Sequence, residues 1–214
     1  MDRLFHDLHP YCEAHSTPPS ALLHALERET HLKTLAPQMM SGHLQGQFLQ
    51  LLSNLMRPRR ILEIGTFTGY ATLCLAAGLA PEGELHTIEA NPEVVYLARK
   101  YFALAGYTER IQLHVGKAET IIPQLPGTFD LVLIDAGKRD YADHYDLVID
   151  RVVPGGLLLA DNVLWSGKVL DENPDTDTQI LQAFNQKIQA DPRVDNLLLP
   201  LRDGLMLMRK REEG

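Results

Sequence analysis

The chain has 214 residues, 45% of them hydrophobic, and a formal net charge of −8. That size fits one large α/β domain with a sizeable core, and Gly and Pro stay below disordered levels. The acidic balance argues against a nucleic-acid backbone or an anionic membrane as the main partner.

Thr17-Pro18-Pro19 predicts a helix start, a capping hydroxyl followed by prolines in the first turn. Leu22, Leu23 and Leu26 carry its apolar stripe toward residue 35, and Ala36-Pro37 breaks it. A second helix is predicted over residues 44–56, with Phe48, Leu49, Leu52 and Leu55. These helices make residues 1–57 a helical cap, a lid or a dimer surface, ahead of a core over residues 58–214.

From Arg60 strand and helix alternate. Residues 61–64 predict the first strand and residues 70–79 its helix. Residues 84–89 form the second strand, after which Asn91-Pro92-Glu93 starts a helix that Gly106 closes. The third strand covers residues 111–115 and leads to a short helix over 118–124. The fourth covers residues 129–134 and leads to a helix over 141–153. Pro154-Gly155-Gly156 turns into the fifth strand, residues 157–160, and residues 171–178 form a polar loop. Residues 194–201 and 205–208 flank the tight turn Arg202-Asp203-Gly204.

Continuous apolar strands alternating with helices signal a parallel sheet covered on both faces. The expected fold is α/β, Rossmann-like and doubly wound. Its mainly parallel seven-stranded sheet ends in a C-terminal antiparallel hairpin, within a single domain over residues 1–214.

Between the first strand and its helix lies Glu63-Ile64-Gly65-Thr66-Phe67-Thr68-Gly69. Strand, glycine-rich turn and helix make a cradle for a nucleotide-like cofactor, because glycines let the backbone turn sharply and approach a ligand. The spacing Gly65-x-x-x-Gly69 is not the G-x-G-x-x-G of dinucleotide sites. A carboxylate at Glu63 would repel a pyrophosphate and attract a cationic cofactor.

In open α/β sheets the ligand sits beyond the carboxyl ends of the strands. Those ends carry Glu63, Glu89, Asp135 and the pair Asp161-Asn162. Four carboxylates at one edge call for a cation. Glu89 lies 24 positions beyond Gly65, near the spacing of an acid that binds a ribose diol, and otherwise serves as a first-turn acid. Glu119 suits an adenine amino group or simply an exposed first turn. Asp135, Asp161 and Asn162 are hard oxygen donors suited to Mg²⁺, Mn²⁺ or Ca²⁺, unless Asp161 and Asn162 only cap the next turn. Lys138 stands at a helix start, where the dipole does not favour it, and is a candidate general base or a solvated lysine.

Cys12 and Cys74 lie far apart with no C-x-x-C pairing, so free thiols in a reducing compartment are expected. No apolar h-region accompanies Asp2 and His6, and no run approaches the ~18–20 apolar residues of a membrane span. The expected location is the cytoplasm.

Four ordered segments complete the reading: Leu62 to Tyr70, Ile88-Glu89-Ala90-Asn91-Pro92, Leu133-Ile134-Asp135-Ala136-Gly137-Lys138 and Ala160-Asp161-Asn162-Val163-Leu164-Trp165. Together they resemble the cation-dependent class I O-methyltransferases that use S-adenosylmethionine, the catechol and caffeoyl-CoA O-methyltransferase group. The resemblance spans residues 39–208. It implies that Glu63 and the loop Gly65, Thr66, Phe67 and Gly69, with Tyr70 and Ala71, hold the amino-acid part of the cofactor. It implies further that Glu89 binds the ribose, that Ala118 and Glu119 flank the adenine, and that Met39, Met40 and Ser41 pack over the cofactor. Asp135, Asp161 and Asn162 would hold Mg²⁺, with Asp135 also near the sulfonium and Lys138 acting as base. Tyr141 and Trp165 are candidates for an aromatic wall beside a phenolic small-molecule acceptor. Gly137 departs from the acidic or aromatic residue that relatives often carry, and Ala71 from a hydroxyl. The family also implies a homodimer. The competing readings are an NAD-dependent oxidoreductase, against which Glu63 and the missing G-x-G-x-x-G argue, and a non-catalytic cofactor-binding protein.

Overall fold

Successive residues of the central strands point to opposite faces of the sheet, and here both directions are apolar. Leu62, Val132, Ile134, Leu158 and Ala160 belong to one buried cluster. Ile61, Leu131, Leu133 and Leu159 belong to the other. A strand buried on both faces requires helices on both sides, each fully buried Leu or Ile contributing roughly 1.5–3 kcal/mol.

The computed structural model describes residues 2–212, and of residues 2–7 the backbone alone. Residues 1, 213 and 214 of the expected single domain lie outside the described residues. The strands are β1 (Arg60–Ile64), β2 (Glu84–Glu89), β3 (Ile111–Val115), β4 (Phe129–Ile134), β5 (Val152–Asp161), β6 (Val194–Leu199) and β7 (Leu205–Lys210). They form one sheet in the order β3-β2-β1-β4-β5-β7-β6. The first five pair in parallel, and β7 runs antiparallel between β5 and β6. The Rossmann-like sheet with its terminal hairpin is therefore as expected.

Helices α2 (Ala21–Lys33), α3 (Gly42–Met56), α4 (Tyr70–Ala76) and α5 (Val95–Leu104) supply residues to one cluster. Helices α6 (Ala118–Ile121), α7 (Tyr141–Val148) and α8 (Thr176–Ala190) supply the other. Helix α1 (Asp2–Ala14) precedes them. Among the described residues no helix is long and apolar enough to cross a membrane.

Several boundaries differ from expectation. Helix α1 is not among the expected elements: Pro10 lies inside it, and proline ordinarily disrupts a helix interior. Helix α2 starts after Ser20, whose side chain accepts from Leu23 N. Pro18 and Pro19 disfavour helical backbone in the residue before each of them, which delays the start. Pro154, Gly155 and Gly156 do not precede β5 but lie within it, where the pairing with β4 shifts register. The loop expected over residues 171–178 ends in the start of α8, where Asp175 Oδ1 accepts from Thr178 N at 2.8 Å. Helix α8 lies outside the expected elements, although Leu181, Phe184 and Ile188 follow helical spacing and are buried.

Candidate active site

The C-terminal ends of β1, β2, β4 and β5 bring the acidic residues of the sequence to one edge. Glu63 shares the face of Ile61, so its side chain turns toward α4. There it is fully buried and accepts from the hydroxyls of Thr72 on α4 and Thr87 on β2. Both bonds fall on Oε2; Oε1 is buried with no partner among the described residues. Burial pushes the carboxyl up to about 8, against the lowering effect of the two hydroxyls. An unpartnered carboxylate oxygen in such a place fits a cationic group, which would draw Glu63 back to its ionised form.

The loop after β1 turns through positive φ at Gly65, Phe67 and Gly69. Its glycines are required by the protein's own packing. A Cβ on Gly65 would lie 1.7 Å from the carbonyl oxygen of Asp135, and one on Gly69 would lie 2.6 Å from the Phe102 ring. Gly65 also lines the cavity described below, so the packing role comes in addition to any approach of a ligand. Phe67 N donates to Glu89 Oε2 at 2.7 Å, and Asn91 N donates to Oε1 at 2.8 Å. Glu89 thus holds the loop in place as well as presenting a carboxylate at the end of β2. Gly116 N donates to Glu89 O, which seats buried Ala118 and exposed Glu119 beside that strand end.

A small cavity is lined by Met39, Met40, Ser41, Gly65, Thr66, Phe67, Tyr70, Ala71 and Asp135. Residues far apart in sequence are thereby brought together: the segment before α3, the β1 loop, the start of α4 and the end of β4. Ser41, Thr66, Tyr70 and Ala71 are buried, whereas Met39 is exposed over the rim.

Beside this cavity lie Asp135, Asp161, Asn162 and Lys138. Asp135 is half-buried; burial and then the negative charge of Asp161 push its carboxyl up to about 7. Asp161 is buried, with Oδ1 accepting from Asn162 N at 2.7 Å and Oδ2 from Gln45 Nε2 at 2.6 Å. Asn162 adopts φ +55°, and its Oδ1 accepts from Lys138 Nζ at 2.9 Å. Burial lowers the Lys138 ammonium below the ordinary lysine range, although Asp135, Asp161 and Asp203 oppose that shift. Among the described residues no three His, Cys, Asp or Glu side chains come together as metal ligands. The candidate set is two carboxylates and an amide oxygen. Its all-oxygen chemistry, and the burial and neighbouring Asp161 charge that raise Asp135, fit a hard divalent cation.

Tyr141 requires a correction. It is fully buried, packs edge-on against Phe184 at 5.5 Å between centroids and donates its hydroxyl to Asp161 O at 2.8 Å. Its hydroxyl is satisfied within the core, so it supports the β5 end and does not form a substrate wall. Trp165 is half-exposed, and Lys138 Nζ lies 5.5 Å from its ring centre. Three residues near the acids lie outside the candidate groups that the sequence singles out: Gln45, Arg202 and Asp203. Gln45 lies inside an apolar helix pattern and Arg202-Asp203 in a turn, so no local motif announces them.

Residues 13–211 match the family described as O-methyltransferase. A catechol O-methyltransferase of Niastella koreensis is 40% identical over 162 residues, covering 73% of this chain and 73% of that protein. Caffeoyl-CoA O-methyltransferase 1 of Eucalyptus globulus is 33% identical, covering 78% of this chain and 72% of its own. The SAH-bound methyltransferase PaMTH1 of Podospora anserina superposes with a TM-score of 0.91 at 29% identity, over 99% of this chain and 97% of that one.

Proposed function

The chain belongs to the O-methyltransferase family and is an S-adenosylmethionine-dependent enzyme; from that premise we propose a divalent-cation-dependent methylation of a vicinal dihydroxy aromatic. Relatives named for catechol and caffeoyl-CoA support this class of acceptor. The observation that carries the reading is the meeting of Asp135, Asp161, Asn162 and Lys138 beside the cavity of the β1 loop. An oxidoreductase reading has no comparable support, since Glu63 borders the glycine turn and a non-catalytic binder has no use for Lys138.

Glu63 and the loop from Gly65 to Gly69, with Tyr70 and Ala71, receive the amino-acid end of the donor. Glu89 accepts from its ribose hydroxyls, Ala118 and Glu119 border its adenine, and Met39 to Ser41 cover it. Asp135, Asp161 and Asn162 hold the cation, Mg²⁺ or another hard ion such as Mn²⁺ or Ca²⁺. When bound, that ion supplies a Lewis acid that lowers the pKa of an acceptor hydroxyl. Lys138 Nζ, in its neutral form, accepts the hydroxyl proton, and Trp165 borders the acceptor ring. As the new O–CH₃ bond forms, the S–CH₃ bond breaks, giving a methyl ether, S-adenosylhomocysteine and the Lys138 ammonium. Asp135 and Lys138 would hold the acceptor oxygen close to the sulfonium methyl, and such positioning supplies much of the acceleration.

The reading includes a single catalytic domain over residues 1–214, located in the cytoplasm and active as a homodimer. Exposed Leu51 and Leu55 on α3 offer apolar surface for such pairing. The deciding experiment is methyl transfer to catechol and caffeoyl acceptors with and without chelator. Activity that needs added Mg²⁺ is expected; turnover indifferent to chelator overturns the cation.

A further inference from the structure

Gln45 lies on the buried face of α3 and is 1% exposed. Its Nε2 donates to Asp161 Oδ2 at 2.6 Å, and its Oε1 accepts from Arg202 Nη1 at 3.1 Å. A guanidinium has only donors, so Arg202 can meet only the oxygen end of the amide. Arg202 therefore fixes which end of Gln45 faces the carboxylate. Asp161 is anchored from three directions: by Gln45 on Oδ2, by Asn162 N on Oδ1 and by the Tyr141 hydroxyl on its backbone oxygen.

The anchoring extends to the neighbouring donor. Asn162 is held at φ +55°, a left-handed conformation that Asn tolerates better than most residues. Its Oδ1 faces Lys138. One chain of hydrogen bonds thus runs from Arg202 in the β6–β7 turn through Gln45 and Asp161 to Asn162 and Lys138. Leu159 and Asp161 share the sheet face on which α3 packs, which is how a residue of the N-terminal cap reaches the end of β5. Arg202 also reaches Gln38 O at 3.5 Å, next to Met39 of the cofactor cavity.

We propose that Gln45, oriented by Arg202, is a positioning residue that holds Asp161, and through it Asn162, in the arrangement that receives a divalent cation. Cation binding then depends on how the helical cap seats against the sheet. The inference rests on the cation reading above and adds two residues outside the ligand set. Partners of this kind ordinarily change metal affinity 10- to 100-fold.

The test is Mn²⁺ binding to the full chain, followed by the electron paramagnetic resonance of free Mn²⁺. Calorimetry with S-adenosylhomocysteine in chelator serves as the second readout. Gln45→Met keeps the side-chain volume but removes both bonds. It should raise the Mn²⁺ Kd roughly 10- to 100-fold and leave the affinity for S-adenosylhomocysteine unchanged. Arg202→Met, on the exposed turn, should weaken Mn²⁺ binding in the same direction, and Arg202→Lys, which keeps a donor, should recover toward wild type. If Gln45→Met does not fold, the contrast between the two Arg202 variants decides. Unchanged Mn²⁺ affinity in folded Gln45→Met overturns the proposal, as does an equal loss of both ligands. Wild-type protein that binds no Mn²⁺ overturns the cation reading and this inference with it.

Discussion

Glu63 carries two hydroxyl donors on one carboxylate oxygen and none on the other. Its folded-state pKa of about 8 exceeds the ordinary 4.5 because burial disfavours the anion. The native state therefore binds a proton that the unfolded chain releases. This contribution to stability is full below about pH 4.5 and is lost as pH rises through about 8. Unliganded wild type should lose thermal stability relative to Glu63→Gln as pH rises across that window; parallel melting curves would contradict the shift. Lys138 makes a second prediction at this scale. Lys138→Ala should lower kcat roughly 10²- to 10⁴-fold if the amine is the base, with S-adenosylhomocysteine affinity retained. Unaltered turnover would leave the lysine a hydrogen-bond partner of Asn162 and nothing more. The sequence pointed to both residues because strand ends locate ligands in this type of sheet. It did not show that Oε1 of Glu63 lacks a donor, which depends on Thr72 and Thr87 arriving from two other elements.

At the scale of elements, the β1 loop illustrates a pattern read correctly for an incomplete reason. The spacing Gly65-x-x-x-Gly69 marks a turn after a strand, and the turn is there. Yet the nearest neighbour of Gly65 is the backbone of the β4 end, so the glycine lets two strand ends close on each other. Gly65→Ala should cost roughly 1–3 kcal/mol from strain at φ +104° and a similar amount from overpacking. Gly42 also has positive φ, but nothing lies within 4 Å of its Cβ position. Gly42→Ala should cost only about 1–2 kcal/mol of backbone strain. Urea unfolding of the two variants measures the difference, and equal losses would deny the packing role. Helix α8 was readable from Asp175 and the spacing of its apolar residues, whereas α1, interrupted by Pro10, has no such clear pattern.

For the molecule as a whole, the cap, the β1 loop and the end of β4 enclose one cavity, so a ligand there binds the folded state alone. S-adenosylhomocysteine at a hundredfold excess over its Kd should stabilise the protein by about 2.7 kcal/mol. For a chain of this length that corresponds to a rise in Tm of roughly 5–10 °C. NAD at the same concentration should give none, and the reverse result would restore the oxidoreductase reading. The surroundings of Asp161 also belong to this scale. Gln45 is 116 positions away and Arg202 reaches it from the opposite end of the chain.

The sequence by itself determined the alternation of strand and helix, the closing hairpin, the acids at strand ends and the family. Each of these is carried by short-range periodicity or by contiguous motifs such as Leu133 to Lys138. Only the tertiary structure decided which donors surround those acids. Tyr141 became a core support, Gly65 a packing contact, Gln45 a hydrogen-bond donor to Asp161 and Arg202 a partner of Gln45. Hydrogen-bond partners of buried groups come from whichever elements the hydrophobic faces bring together, and that choice is made by packing across the whole sheet.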